Sequence, residues 1–189
     1  MPRKVVHIDD GAIAAAGRLF RELIPEDSVV LDLMSSWRSH WPKGHRKQCL
    51  VGLGLNQEEM DDNPDLDRIV VHNVNDNPKL PFTDSEFDAV LITVSAQYLT
   101  QPVETFKQVN RILKPGGVFI VTFSNRMFPT KAVRIWRASN DRGRVDLVGT
   151  YMEAAGNFDD IQGALLTPKD SPPGDPMFAV TSRKAAVRP

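Results

Sequence analysis

Cysteine is nearly absent from this sequence: Cys49 stands alone among 189 residues. A lone thiol excludes an internal disulfide framework and fits a reducing compartment, so a cytoplasmic location is expected. Net charge is lacking as well. The 23 basic and 24 acidic side chains leave −1, which removes any overall pull toward nucleic acid or an anionic membrane. No apolar run is long enough to span a bilayer. The opening "MPRKVVHIDDG" has no apolar core of the secretory kind, and its acidic pair argues against a transit peptide. There is no internal repeat. What is present is 41% hydrophobic residues, enough for a full core, so one domain is expected over residues 1–189. Residues 1–27 form its N-terminal helical segment and 28–183 its core. "SPPGDP", Ser171 to Pro176, reads as a rigid turn or loop.

The spacing of apolar residues gives the order of elements. Ala12–Ile24 predicts a helix, because Ile13, Ala16, Phe20 and Leu23 share one face and Pro25 ends it. Apolar runs at Ser28–Leu33, Cys49–Leu55, Arg68–Asn73, Phe87–Ser95 and Val118–Ser124 predict five strands. They are rich in Val, Ile and Leu with little alternation, so both faces should be buried. Pro102–Leu113 predicts a helix with Val103, Phe106, Val109 and Leu113 on its apolar face. Pro102 suits a first turn, and "KPGG" stops the helix after Leu113. A further helix is expected over Val145–Ala155, then closing strands near Phe158–Ala164 and Met177–Arg183. Strands alternating with helices imply an α/β fold with parallel strands and right-handed crossovers. Ligands in such sheets sit at the carboxyl ends of the strands, where the strand order reverses. The loops to watch are therefore Met34–Pro42, Gly54–Met60, Asn73–Asn77, Ser95–Leu99 and Ser124–Thr130.

Glycine is missing where such a fold uses it most. "VVLDLMSSWRSHWP", Val29 to Pro42, opens like a nucleotide-binding unit, with an apolar run ending in Asp32 and a turn of small residues. Glycines usually follow, because they adopt positive φ and let the backbone approach a ligand closely. None stands in this stretch, and Pro42 and Gly44 shorten the helix expected to follow.

The second half is closer to a known pattern. "LPFTDSEFDAVLITVSAQYLTQPVETFKQVNRILKPGGVFIVTFSN" resembles class I S-adenosylmethionine (SAM)-dependent methyltransferases of the "methyltransferase type 11" kind. "LPF", "FD", the helix and "LKPGG" before a strand come in the family's order. "YMEAAGNFDDI" resembles the family's closing helix, corner and sixth strand. The likeness covers roughly residues 28 to 183. It implies a Rossmann-like, doubly wound, mostly parallel seven-stranded sheet with helices on both faces, and SAM as cofactor. The first half departs from the family. Met34, Ser36 and Arg38 take the three glycine places, and Met34 tolerates positive φ poorly. Gly54 stands where the family writes the acid that takes the ribose hydroxyls. Asn56, two residues on, offers an amide instead, and Asn73 sits nearest the slot that reads adenine, with Asp76 as a substitute.

The resemblance implies cofactor contacts from Asp32, Ser35, Ser36, Arg38, Gly54, Asn56, Asn73, Val74 and Ser95. Ser35 and Ser36 would offer hydroxyls and Arg38 a cation to the methionine carboxylate. For Asp32 the bland alternative is a cap on the short helix after it. Gly54→Asp is expected to restore a ribose contact worth about 1.5–3 kcal/mol. Tyr98 and Gln97 follow strand four, where the family lines the methyl-transfer site. Tyr98 there orients an acceptor or takes a proton, or is simply a half-buried aromatic. His40 is a candidate base, and both His40 and His45 also read as plain surface residues. No metal site is expected, since His-x4-His is a poor metal signal. Met34, Trp37 and Trp41 read better as loop packing than as a cofactor wall.

"SNRMFPTKAVRIWRASNDRGR" carries six basic residues and one acid between Arg126 and Arg144, a local +5. It leaves strand five at the ligand end. Asn125, Arg126, Lys131 and Arg134 are therefore the candidate acceptor-binding residues, and a basic wall favours an anionic acceptor. A solvated helix explains the same charges. Nucleic acid is a distant option, because no aromatic platform beyond Trp136 interleaves the patch. Two readings stay open. One is an enzyme that methylates a small molecule, an anionic one among the candidates, through an atypical cofactor site. The other is a methyltransferase-like protein without catalysis that has lost SAM and serves a protein partner. No membrane partner is expected in either.

Overall fold

Seven strands form one sheet in the computed structural model, which describes residues 8–167 and 174–186. The strands are β1 (Ser28–Leu33), β2 (Lys47–Gly54), β3 (Arg68–Val71), β4 (Phe87–Thr93), β5 (Leu113–Phe123), β6 (Phe158–Leu165) and β7 (Phe178–Lys184). The helices are α1 (Asp10–Leu23), α2 (Gln57–Asp61), α3 (Pro102–Ile112), α4 (Arg134–Ala138) and α5 (Asp141–Ala155). The sheet order is β3-β2-β1-β4-β5-β7-β6. Strands β1 to β5 pair in parallel, whereas β7 runs antiparallel to both β5 and β6, so the sheet is mixed. The strand order reverses between β1 and β4, which defines the switch point where a ligand is expected. The closing turn at Ser171–Pro173 lies outside the described residues.

Both faces of the central strands are buried, as their unbroken apolar runs require. On one face Ala12, Ala15, Ala16 and Phe20 of α1 cover Val30, Leu50, Leu91 and Ile120. Complete burial of Phe20 alone is worth about 1.5–3 kcal/mol. On the other face α3 and α5 cover Leu31, Leu53, Val90 and Phe119, and the Phe106 ring meets Phe119 edge-on at 4.8 Å. Asp9 starts α1 by accepting the Ala12 N–H at 2.8 Å, and Pro25 follows its C-cap.

Several boundaries differ from expectation. Helix α5 begins at Asp141 rather than Val145, because Asn140 caps it by accepting the Gly143 N–H. Strand β5 begins at Leu113, so the "KPGG" stretch belongs to the strand and carries a register irregularity. The larger correction lies between β1 and β2. No helix forms there; residues 34–46 run as turns and extended chain. Trp41 and His45 hold this run against α1. Trp41 Nε1 donates to the His45 carbonyl, and His45 Nε2 lies 2.9 Å from the Ile24 carbonyl oxygen. His45 is thus a buried structural residue, not a surface one.

Candidate functional site

A cavity of about 560 Å³ opens at the switch point. That volume lies within the range of small-molecule and cofactor sites. Its walls come from the β1–β2 run, the end of β2, the segment after β3 and the segment after β4. Asp32, Ser35, Ser36, Arg38, His40, Gly54, Asn56, Asn73, Val74, Ser95, Tyr98 and Lys131 all line it.

Asp32, the penultimate residue of β1, is almost fully buried. With no helix after it, its carboxylate holds the turn instead. Oδ2 accepts the Ser35 and Ser39 hydroxyls, each at 2.6 Å. Burial pushes its pKa up to about 6, and the two hydroxyl donors oppose that rise. Asn63 completes the turn by donating Nδ2 to the Ser36 carbonyl and to Ser39 Oγ, both at 2.9 Å. The hydroxyls of Ser35 and Ser36 are therefore spent on the protein: Ser36 Oγ donates to Glu59 at 2.7 Å. Arg38 differs. It is exposed, its guanidinium stacks over the Trp37 ring at 4.8 Å, and it has no carboxylate partner among the described residues.

Backbone strain gathers at this cavity. Met34 at φ +63°, His40 at φ +56° and Val94 at φ +54° all line it. Each costs of order 1–3 kcal/mol in a non-glycine residue, most in a β-branched one such as Val94. The Met34 backbone thus keeps a left-handed conformation that a glycine would take freely. Beside Val94, Thr93 Oγ1 and Ser95 Oγ are buried without a hydrogen-bond partner, and both residues line the cavity.

The ribose slot is altered further. A Cβ added at Gly54 would lie 2.3 Å from the Ser35 carbonyl oxygen. The glycine-free turn has moved onto the end of β2, where Ser35 N–H donates to the Leu53 carbonyl. The expectation that aspartate at position 54 restores a ribose contact is therefore overturned. Asn56 is also occupied: its Oδ1 accepts the Glu59 N–H and caps α2. After β3, Asn73 and Val74 face the cavity, while Asn73 Nδ2 donates to Asp76 Oδ2 at 2.7 Å. Asp76 itself is not part of the wall.

At the opposite end Tyr98 Oη accepts the Phe128 N–H at 3.0 Å, and Lys131 holds its ammonium 5.7 Å above the Phe128 ring. His40 lowers toward the cavity, and burial holds its pKa below the ordinary value near 6.5, opposed by Asp65. Four predicted residues are not brought here. Gln97 is buried as a pin, donating Nε2 to the Val94 carbonyl and accepting the Val133 N–H on its own carbonyl. Arg126 turns away to Asp175 at 2.6 Å, and Arg134 and Asn125 are exposed outside the wall. Arg144 is buried against Trp136 and paired to Asp141. Of the basic side chains in this segment, Lys131 is the one that lines the cavity. Glu59 and Phe128 line the wall from loops that the strand ends pointed to, though neither was named as a site residue, and Ile8 was not anticipated. For Glu59 a signal existed: Asn56-x-x-Glu59 has capping-box spacing. Among the described residues no group of His, Cys, Asp or Glu is arranged to hold a metal ion.

An α/β fold with this strand order and a cavity at its switch point is a Rossmann-like cofactor-binding fold. Residues 51–121 match the family model described as a methyltransferase domain. The chain is 39% identical over 59 residues to the ubiquinone/menaquinone biosynthesis C-methyltransferase UbiE of Laribacter hongkongensis. That alignment covers 31% of this chain and 24% of that protein, so the chain spans about a quarter of the relative's length. Among solved structures, it superposes on a chain of the complex between the Haloferax volcanii Trm112 methyltransferase activator and a methyltransferase. The TM-score is 0.71 at 17% identity, over 95% of this chain and 92% of that one. A SAM-dependent methyltransferase from Aquifex aeolicus gives a TM-score of 0.64 at 14% identity, over 93% and 92% of the two chains. At such identities the likeness is one of fold. The sequence match adds a likeness to a methyltransferase domain over residues 51–121.

Proposed function

We propose that this protein is a SAM-dependent methyltransferase with a small-molecule acceptor, working through a cofactor site rebuilt without glycines. The observation that carries the reading is the cavity of about 560 Å³ at the switch point. Arg38 is the cation for the cofactor's carboxylate, a role that a helix N-terminus cannot fill here because no helix follows β1. Asp32 holds the turn, and Asn73 and Val74 flank the adenine. Bound SAM supplies a methyl group on a sulfonium, which transfers by in-line displacement, so positioning and exclusion of water matter more than covalent catalysis. Tyr98 and Lys131 receive the acceptor, and Lys131 favours an anionic one. His40, its pKa held below the ordinary value by burial, takes a proton where the acceptor carries one.

Calorimetric titration with S-adenosylhomocysteine tests this. A one-site isotherm is expected. No heat and no thermal stabilisation at millimolar ligand would overturn it. The missing helix after β1, and the likeness to a chain from an activator complex, favour a protein-partner role as the second reading.

A further inference from the structure

We propose that Tyr98 and Lys131 form a donor-only clamp for an oxyanion of the acceptor, with Tyr98 giving a hydrogen bond rather than taking a proton. The inference deepens the methyltransferase reading above and rests on it. Two carboxylates line the cavity, Asp32 and Glu59, and both belong to the β1 and β2 side of the switch point. Tyr98 and Lys131 follow β4 and β5, on the other side. Among the described residues no carboxylate lines the cavity from there.

Both donors are built into the fold. Tyr98 ends the short helical turn Ala96–Tyr98 after β4. Residues 128–133 are tied to that turn at two points. Phe128 N–H donates to Tyr98 Oη at 3.0 Å, and Val133 N–H donates to the Gln97 carbonyl at 2.9 Å. Lys131 N–H and Ala132 N–H close the segment on the Phe128 carbonyl, each at 3.0 Å. Lys131 thus stands on the turn that Tyr98 holds, with its ammonium 5.7 Å from the Phe128 ring centre. A phenol oxygen that accepts an N–H keeps its own proton to give. The Tyr98 O–H has no acceptor among the described residues, and Lys131 has no carboxylate partner there. A tyrosine committed to giving its proton is a poor general base, so removal of an acceptor proton falls to His40 on the β1–β2 run. Two donors, one of them a cation, with no acid beside them favour an oxyanion, because bonds to charged oxygen are about twice as strong as neutral ones. A protonated amine would instead meet Lys131 as a like charge. The clamp therefore selects a phenolate, enolate or carboxylate over an amine.

The test uses three one-ring probes on the protein saturated with S-adenosylhomocysteine. They are benzoate, its neutral counterpart benzamide, and 4-nitrophenol, whose coloured anion reports its own ionisation. Calorimetry should show benzoate binding about tenfold more tightly than benzamide. Bound 4-nitrophenol should ionise at lower pH than the free dye. Tyr98→Phe and Lys131→Met should each cut benzoate affinity about tenfold and change benzamide affinity by a factor of about two at most. The Lys131 side chain makes no hydrogen bond within the described residues, so Lys131→Met reads the clamp even where Tyr98→Phe loosens the turn. Benzamide bound as tightly as benzoate, or bound 4-nitrophenol ionising at higher pH, would overturn the proposal. So would no binding of benzoate at millimolar concentration. Equal losses for benzoate and benzamide would also overturn it, and would leave Tyr98 as a strut for Phe128. No binding of S-adenosylhomocysteine would instead reject the cofactor reading, and the same probes on the free protein would still read the clamp.

Discussion

Gly54 shows how one residue can be misjudged when read alone. By position it looks like a lost acid, and restoring aspartate looks like a repair. The backbone says otherwise: a Cβ there meets the Ser35 carbonyl oxygen at 2.3 Å, and backbone cannot swing aside as a side chain can. Gly54→Asp is expected to destabilise the protein by about 1–3 kcal/mol through overpacking, and to weaken ligand binding. Urea denaturation of the variant measures the first; a variant as stable as the parent would mean that the turn yields easily. Asp32 makes a second residue-scale prediction. Its folded pKa near 6 exceeds the unfolded value near 4, so the native state binds the proton more tightly. Its contribution to stability is fully present below pH 4 and lost as pH rises through 6. His40 has the opposite sign, since its depressed pKa makes stability rise as pH rises toward 6.5. Comparing the parent with Asp32→Asn isolates the first effect. The difference in unfolding free energy should shift by about 2–3 kcal/mol against the parent between pH 4 and 7. A flat difference would show that Asp32 titrates normally.

The elements were legible where local pattern and burial agree. Apolar runs marked the five parallel strands, since a strand buried on both faces has no polar positions to spare. Helix α3 was marked by its apolar face and its leading proline. The strand ends then pointed to most of the cavity wall, including Asp32, Arg38, Asn73, Ser95 and Tyr98. The β1–β2 run was not legible, because what holds it is distant in sequence. Asn63 reaches back to Ser36 and Ser39, 27 and 24 residues earlier. Arg126 was misplaced for the same reason, since its partner is 49 residues away. Asn63 thus does for this crossover what main-chain bonding does for a helix. Asn63→Ala removes two donors, and an acceptor for the Asp65 N–H. It should cost about 1–3 kcal/mol and speed amide exchange across residues 35–39. Normal protection there would show that the run is held by packing alone.

Across the whole molecule, the segment before α1 and the segment before β7 meet beside the cavity. Asp9 N–H donates to Asp175 Oδ2 and Asp175 N–H donates to Asp9 Oδ2, a reciprocal pair 166 residues apart. Asp9 also caps α1, and its neighbour Ile8 is a buried part of the cavity wall. This clasp therefore ties the start of α1 to the approach to β7 and seats one wall of the site. Arg126 joins it through Asp175, but the arginine side chain is two-thirds exposed while that of Asp175 is 11% exposed. Exposed ion pairs contribute about 0–1 kcal/mol, whereas a half-sheltered carboxylate that receives a backbone N–H contributes more. Asp175→Ala is thus expected to lower stability by about 1–2 kcal/mol and to weaken S-adenosylhomocysteine binding by loosening Ile8. Arg126→Ala should change stability by less than about 1 kcal/mol and leave that affinity unchanged. Thermal melts and calorimetry on the two variants separate these outcomes. Equal effects would put the ion pair, rather than the reciprocal backbone clasp, in control of the wall. An effect of Arg126→Ala on binding alone would return that arginine to the ligand site.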